Sequence, residues 1–336
     1  MNKAIHTTIL TLIAAVTFTG CAKEVVETDS EASLRAFTAW VNAHYPDVKD
    51  TTGCGIYVIS DKEGDGDTVR DSSYIFQEYE IRALSDSSIV AYSGDSLAKQ
   101  LGQYSRAAYY GPNIFLYNKT TTKAGLKDLL NGNGNKWQRM RIGGERIAII
   151  PAAFSPVNAD CIYRIKVVDQ KKDIVQWQIN EIEKYMKAHN IEIGDTTGHK
   201  GLYYWRDRAR EQRRGVTVID TVKFPSDTTI YINYVGRHLN GQAFDTNIKD
   251  SAKVNGIYNA STSYGPSSVT WSADSTAIKL GGSSVIKGFS LTLWHMHQFE
   301  SGRGLFTSDY GYGSSGNDGI GAYEPLIFEI DIVKKE

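Results

Sequence analysis

The sequence predicts an α+β protein that contains two copies of one domain plan. Each half begins with a helical pattern, passes through a Thr-Thr-Gly turn into a short strand, and continues into a long tyrosine-containing strand. The two turns, Thr51-Thr52-Gly53 and Thr196-Thr197-Gly198, are 145 positions apart, from Thr51 to Thr196. Solenoid repeats have periods of roughly 20–50 residues, so this spacing indicates a duplicated domain.

The composition is that of a soluble globular protein. The chain has 336 residues, of which 41% are hydrophobic and 22% charged, and its formal net charge is −1. This length accommodates two ordinary domains. A balanced charge gives no global attraction for nucleic acid, and we expect no nucleic-acid partner. One basic cluster, Arg206 to Arg214, interrupts the balance, and we interpret it as a solvated loop between two strands.

The N-terminus has the pattern of an export signal. Residues 1–20 contain an early Lys3 and an apolar stretch from Ile9 to Phe18, followed by small residues before Cys21. This ending resembles a bacterial lipobox, although Phe18 stands where leucine is usual. The resemblance implies cleavage before Cys21 and acylation of its thiol and new amine, with residues 21–29 as a tether. The alternative is a plain secretory peptide.

The predicted location is the bacterial cell envelope, with the membrane as a partner through the lipid anchor. Ala22 follows the cysteine, whereas an aspartate there retains lipoproteins at the inner membrane in some bacteria. We therefore expect the outer membrane, on its periplasmic or surface face. Two cysteines remain after processing, Cys54 and Cys161. In an oxidising compartment they form either a disulfide or a free buried pair, and both alternatives stay open.

The first copy, residues 30–170, begins with a helix from Ser30 to Tyr45. Ser30 is a candidate cap, apolar residues follow at helical spacing, and Pro46 ends the pattern. Strands are predicted at 55–60 and 75–84.

The second copy, residues 171–336, repeats the order with a helix from Asp173 to His189 and strands at 201–206 and 229–239. A further helix has one apolar face, formed by residues at helical spacing: Ile286, Phe289, Leu293 and Met296. An amphipathic helix on a half-buried antiparallel sheet leaves a shallow apolar pocket between them.

Three ordered motifs in the second copy resemble those of one family. They are Tyr234 to Phe244-Asp245, then Lys279 to Phe289 with Val285-Ile286, then Asp309 to Gly316 with Tyr312-Gly313, before a last strand from Leu326 to Val333. Over about 228–334 the chain resembles the FKBP-type peptidyl-prolyl cis-trans isomerases. The resemblance implies two FKBP-like domains, each an antiparallel half-barrel sheet wrapped on one short helix with an extra N-terminal helix.

The resemblance also implies the site. Asp245, Tyr312 and Phe289 would be catalytic, and the proline pocket would be lined by Tyr234, Phe244, Val285, Ile286, Ile320 and Phe328. Rotation about the prolyl amide needs neither cofactor nor metal, because an apolar site that binds the twisted amide best is sufficient. The expected partners are proline-containing polypeptide clients, and the sequence sets no oligomeric state. Ordinary core packing is the competing explanation, above all for Val285 and Phe328.

The second copy departs from the family pattern at the rim of the site. Phe289 replaces the usual tryptophan, Asn317 replaces a flap histidine, and Ala322-Tyr323-Glu324-Pro325 replaces Ile-Pro-Pro. The segment between Asp245 and Lys279 lacks the usual Pro-Phe-x-Phe stretch. These changes bear on substrate preference more than on fold.

The first copy resembles the family without its active residues. Tyr79 parallels Tyr234, and Leu126 stands at the position of Phe289. Val90-Ala91 stands where the second copy has Phe244-Asp245, and the Tyr-Gly flap is missing. We therefore expect an envelope isomerase and foldase whose activity is confined to the second copy. The alternative is a non-catalytic FKBP-like protein-binding lipoprotein.

Overall fold

A computed structural model of the chain describes residues 29–49, 55–132, 134, 137–192, 197–218, 224–317 and 319–335. The predicted signal peptide, the lipidation site Cys21 and one cysteine of the proposed pair, Cys54, lie outside these ranges. Inside them, no helix combines the length and apolar character needed to cross a membrane.

The first domain is a six-stranded antiparallel sheet with three helices. The elements in chain order are α1 (Asp29–His44), β1 (Tyr57–Lys62), β2 (Ser73–Ala83), β3 (Ile89–Tyr92), α2 (Asp95–Gln100), β4 (Asn113–Tyr117), α3 (Ala124–Asn131), β5 (Glu145–Ile150) and β6 (Cys161–Lys171). The strand order is β1-β5-β6-β2-β3, and β4 also pairs with β2.

The second domain is an eight-stranded antiparallel sheet with four helices. Its elements are α4 (Ile174–Ala188), β7 (Leu202–Arg206), α5 (Arg208–Arg214), β8 (Thr228–His238), β9 (Ala243–Thr246), α6 (Lys249–Asn255), β10 (Ser267–Trp271), β11 (Lys279–Leu280), β12 (Ser283–Ser284), α7 (Lys287–His295), β13 (Ser301–Phe306) and β14 (Leu326–Val333). The order is β12-β11-β10-β8-β14-β13-β7, with β9 paired to β8.

The predicted duplication and α+β class are confirmed, because the central strands of both sheets share one register. The pair β2–β6 in the first domain corresponds to β8–β14 in the second. The equivalent partners are Tyr79–Ile165 with Tyr234–Ile330, and Ile81–Tyr163 with Gly236–Phe328. The second sheet differs only by the added short strands β11 and β12.

Each sheet carries one short helix on one face and the N-terminal helix of its domain on the other. On the inner face, Gly125 of α3 and Gly288 of α7 allow close approach to the sheet. A Cβ at Gly125 would lie 2.6 Å from Ile150, and one at Gly288 would lie 2.5 Å from Phe306. On the outer face, buried residues of α1 and α4 form separate clusters with the backs of β1, β5, β7 and β13. Strand side chains alternate between the two faces, so each sheet supports two apolar layers.

The interpretation of the basic cluster as a solvated loop is wrong. Arg206 ends β7, and the rest of the cluster forms the helix α5 with its N-cap Asp207, which accepts a hydrogen bond from the backbone N–H of Arg210. Arg210 also pairs with Asp331 at 2.8 Å, and Arg206 pairs with Glu211 at 2.8 Å. Glu211 and Asp331 are both buried, and a buried carboxylate requires a cationic partner.

The structure also bears on the start of α1 and on the environment of Cys161. Helix α1 begins at Asp29, so Ser30 lies in the first turn of the helix and is not its cap. Cys161 is a free buried thiol whose Sγ lies 3.3 Å from the Ser155 hydroxyl, and Cys54 lies outside the described residues. Burial raises the pKa of this thiol, so it is a poor nucleophile at neutral pH.

The two domains contact each other around the start of α4. Trp177 packs edge-on against Phe76 of β2 with ring centroids 4.8 Å apart, and Ile174 is buried beside Ile114 of β4. This contact places one loop of the first domain, residues 101–112 between α2 and β4, against the second domain.

Candidate functional site

The predicted site residues of the second domain meet around a cluster of aromatic rings. Phe289 of α7 contacts Tyr234 of β8 at 5.7 Å between centroids and Phe328 of β14 at 5.1 Å, both edge to face. Phe244 of β9 meets Phe328 at 5.6 Å in the same geometry. Four elements, β8, β9, α7 and β14, thus contribute to one apolar surface.

The site residues occupy two levels. A cleft of about 500 Å³ is lined by four of the predicted residues, Phe244, Asp245, Tyr312 and Ile320. Phe289 and Phe328 are 3% and 5% exposed, so they form the floor beneath it. The half-buried Tyr234, Val285 and Ile286 pack against the same apolar cluster. We call this space the isomerase-type cleft.

The only carboxylate among the described lining residues is Asp245, which is held by a tyrosine. The Tyr234 hydroxyl donates a hydrogen bond to Asp245 Oδ2 at 2.9 Å. Burial, and then the nearby charge of Asp245, raises the pKa of Tyr234. Burial and the same carboxylate also raise the pKa of Tyr312. Both phenols therefore stay protonated at neutral pH and can act as hydrogen-bond donors.

Two residues that sequence reasoning missed fix the strand carrying Phe244 and Asp245. The Asn247 side chain accepts from the Tyr234 backbone N–H at 2.8 Å and donates to the Ile232 carbonyl at 2.8 Å. The Thr246 hydroxyl donates to the Tyr234 carbonyl at 2.6 Å. These side chains satisfy backbone groups of β8 where β9 has diverged from it. The polar run directly after the Phe-Asp pair was the available signal, because such side chains often bond local backbone.

Asn317 shapes the segment that covers the cleft, which includes Gly319 and Ile320 and which we call the flap. Its side-chain oxygen accepts hydrogen bonds from the N–H groups of Gly319 at 3.0 Å and Ile320 at 2.9 Å. Its backbone N–H donates to the Ile320 carbonyl at 2.9 Å. Asn317, which replaces the histidine usual in the family, therefore forms the tight turn that holds Ile320 over the cleft.

The first domain has a corresponding pocket, but its lining lacks the carboxylate. Ala91 lies opposite Ile81, as Asp245 lies opposite Gly236. The pocket has a volume of about 380 Å³ and contains Leu126 at the helix position of Phe289. Its described lining residues include no aspartate or glutamate. We call it the first-domain pocket.

A loop of the first domain also lines the isomerase-type cleft, which the sequence did not predict. Ser105, Ala107 and Ala108 contribute to the cleft wall. The Tyr109 backbone N–H donates to the Gly319 carbonyl at 2.9 Å, so the loop is bonded to the flap.

The described part of the chain contains no group of three or more histidine, cysteine, aspartate and glutamate side chains arranged to hold a metal. The cleft itself offers an apolar floor, a carboxylate and two neutral phenols.

Comparison with known proteins gives one family match. Residues 221–333 match the sequence model described as FKBP-type peptidyl-prolyl cis-trans isomerase. A search of curated proteins gives no match. Among solved structures, the three FKBP domains of wheat FKBP73 are similar at 16% identity with a TM-score of 0.28, covering 86% of this chain and 98% of that one.

Two bacterial structures are also similar. A peptidyl-prolyl cis-trans isomerase from Pseudomonas syringae pv. tomato has 21% identity and a TM-score of 0.30, covering 48% of this chain and 94% of that chain. FkpA from Escherichia coli has 18% identity and a TM-score of 0.30, covering 48% of this chain and 62% of its own. The family match coincides with the segment that carries the three motifs, and the domain plan is present twice. Residues 221–333, about a third of the chain, thus match the model of the FKBP-type peptidyl-prolyl cis-trans isomerase family.

Proposed function

We propose that the chain is a peptidyl-prolyl cis-trans isomerase that acts on X–Pro bonds of polypeptide clients in the bacterial envelope. Turnover is assigned to the domain at 171–336. The observation that carries the proposal is the cleft with Asp245 and Tyr312 on its wall and Phe289 and Phe328 in its floor, within the segment that matches the family.

The cleft supplies what this rotation requires. The barrier of roughly 18–20 kcal/mol comes from amide resonance, which the twisted state loses. A site that removes water from the amide and binds the twisted form more tightly than the planar forms lowers this barrier. In the proposal Phe244 and Ile320 hold the proline ring, and the Tyr312 hydroxyl donates to a client carbonyl. Asp245 orients Tyr234 and faces the rotating carbonyl.

The test is turnover of a short prolyl peptide by the full chain. Tyr312→Phe removes one hydrogen-bond donor, and we expect kcat/KM to fall about tenfold, as for a bond contributing roughly 1.4 kcal/mol. Asp245→Ala should produce a loss at least as large. Asp245 is exposed, so the melting temperature should stay near that of the wild type. Asp250→Ala, an exposed carboxylate on α6 outside the cleft, is the matched control and should keep full turnover.

The alternative, a non-catalytic protein-binding lipoprotein, is favoured by the missing carboxylate at Ala91 in the first domain. A folded wild-type chain that gives no rate increase would refute catalysis. If the same chain and both cleft variants bind an unfolded client with equal affinity, the binding function stands instead.

The proposed location is the outer membrane, with the lipid attached to Cys21. The support is the signal pattern before this cysteine. Metabolic labelling with a palmitate analogue should mark the wild type and miss Cys21→Ser. Cys54→Ser is the control and should be labelled like the wild type. Equal labelling of all three proteins would contradict the anchor.

A further inference from the structure

We infer that the two domains form one extended polypeptide-binding site, in which the first-domain pocket holds an apolar side chain of the client whose proline occupies the isomerase-type cleft. The inference rests on the proposed function and deepens it, because it names a second subsite and the chemistry of the client segment that fills it.

Three cavities adjoin one another across the two domains. Between the isomerase-type cleft and the first-domain pocket lies a third space of about 500 Å³, which we call the interdomain cleft. It shares five lining residues with the isomerase-type cleft, namely Ser105, Ala108, Asn317, Gly319 and Ile320. It shares Tyr79 and Asn113 with the first-domain pocket. Neighbouring spaces therefore share part of their walls.

The loop of residues 101–112, which borders both the isomerase-type cleft and the interdomain cleft, is fixed in place. Besides the bond from Tyr109 to the flap, the Gln242 amide donates to the Ala108 carbonyl at 3.2 Å and to the Arg106 carbonyl. The Arg106 side chain also lies close to Gly256 at the end of α6, where a Cβ would be 2.6 Å from it. Bonds to the flap and to Gln242 after β8, together with the close approach of Arg106 to Gly256 at the end of α6, make the loop a built wall of the site.

The lining of the interdomain cleft is polar, and its described residues are uncharged. The interdomain cleft is lined by hydroxyl and amide side chains, including Tyr79, Tyr92, Gln103, Tyr110 and Asn113. None of its described lining residues is charged. Neutral donors and acceptors of this kind suit the backbone of an extended peptide, which presents one N–H and one C=O per residue. The middle of the client segment is therefore expected to be uncharged.

The first-domain pocket suits a different group. Its walls include Phe115, Leu116, Leu126, Val157 and Tyr163. Apolar walls in a concave site bind an apolar side chain by removing it from water. Because Ala91 replaces the carboxylate, the pocket can hold such a side chain without the isomerase chemistry. This gives the first domain a role in client retention.

The test uses the full chain and a peptide series. Each peptide has one proline, an uncharged Gly/Ser spacer of increasing length, and a phenylalanine anchor before or after the proline. Binding is measured by fluorescence anisotropy and turnover by the prolyl assay. At the spacer length that spans the interdomain cleft, tethering should lower Kd and KM at least about tenfold relative to the peptide without an anchor.

Two tryptophan substitutions on β3 provide matched variants. Ala91→Trp fills the first-domain pocket and should abolish the advantage of the anchored peptide over the unanchored one. Val90 is the neighbouring residue, 48% exposed and outside the lining of the pocket. Val90→Trp should keep the advantage. Should Ala91→Trp fail to fold, Leu116→Ser removes a 42% exposed apolar wall and should reduce the same advantage.

The outcomes separate this inference from the proposed function. Equal affinity for anchored and unanchored peptides at every spacer length, with normal turnover of the short peptide, would overturn the extended site alone. An anchored advantage that Ala91→Trp removes, without turnover of any peptide, would support the extended site and refute catalysis.

Discussion

Replacing Phe289 by alanine should lower the free energy of unfolding by about 3–5 kcal/mol, the cost of removing a buried phenylalanine. Phe289 is only 3% exposed and meets the rings of Tyr234 and Phe328 edge to face. Its loss leaves a void between α7 and the sheet, and neighbouring rings fixed on strands cannot fully close it. Turnover should fall as well, because the floor of the cleft is lost.

Urea unfolding combined with hydrogen exchange measures this effect and locates it. Protection should decrease in β8 and β13 of the second domain. Leu126→Ala is the matched variant at the equivalent helix position, 8% exposed, and its loss of protection should fall in β2 and β5 instead. If Phe289→Ala loses turnover while unfolding with nearly wild-type stability, Phe289 lines an open pocket and the floor assignment is wrong.

The sequence predicted which residues gather at the site better than how deeply each lies. Asp245 and Tyr312 stand in motifs that packing alone explains poorly, and both line the cleft. Phe289 ends the second motif and Phe328 lies in the strand after the third motif, yet both lie beneath the cleft. Helical or strand spacing places a residue on a face, but its burial depends on what covers that face. Here Ile320 belongs to the same buried cluster as both rings.

The loop from Ser105 to Tyr110 could not be assigned to the site from sequence. Its contacts with Gly319 and Gln242 are made across domains, and no periodicity or local motif encodes them. The prediction of a solvated loop for the basic cluster was wrong for the same reason. The charges of α5 are visible in sequence, whereas the partner Asp331 lies 121 positions from Arg210. The pattern of charges along the sequence shows only neighbouring residues. Whether a charged side chain is exposed to solvent depends on partners that are distant in sequence.

Arg146 is a second charged residue whose role depends on partners distant in sequence, and its replacement should have a large effect on stability. Its side chain is 2% exposed, and it pairs with both carboxylate oxygens of Asp61 at 2.9 Å. It also donates to the carbonyls of Leu129 and Gln138, both at 2.7 Å. Leu129 lies in the last turn of α3, where carbonyl groups lack intrahelical partners. One guanidinium therefore links β1, β5 and the end of the helix.

Arg146→Met should destabilise the first domain by about 3–5 kcal/mol, because it leaves the Asp61 carboxylate and the Leu129 carbonyl without their partner. Urea unfolding followed by circular dichroism gives the change. Adding Asp61→Leu to this variant should recover part of the loss, since the second substitution removes the stranded charge.

The control is an exposed ion pair in the same domain. Arg70 and Asp67 form a pair at 2.9 Å whose side chains are both 70% exposed. Arg70→Met should cost less than about 1 kcal/mol, as is usual for solvent-exposed pairs. The comparison keeps the substitution constant and contrasts a buried guanidinium with four hydrogen bonds with an exposed guanidinium in a single ion pair. Similar losses for the two arginines would show that Arg146 is not the buried link between strand and helix that its contacts indicate.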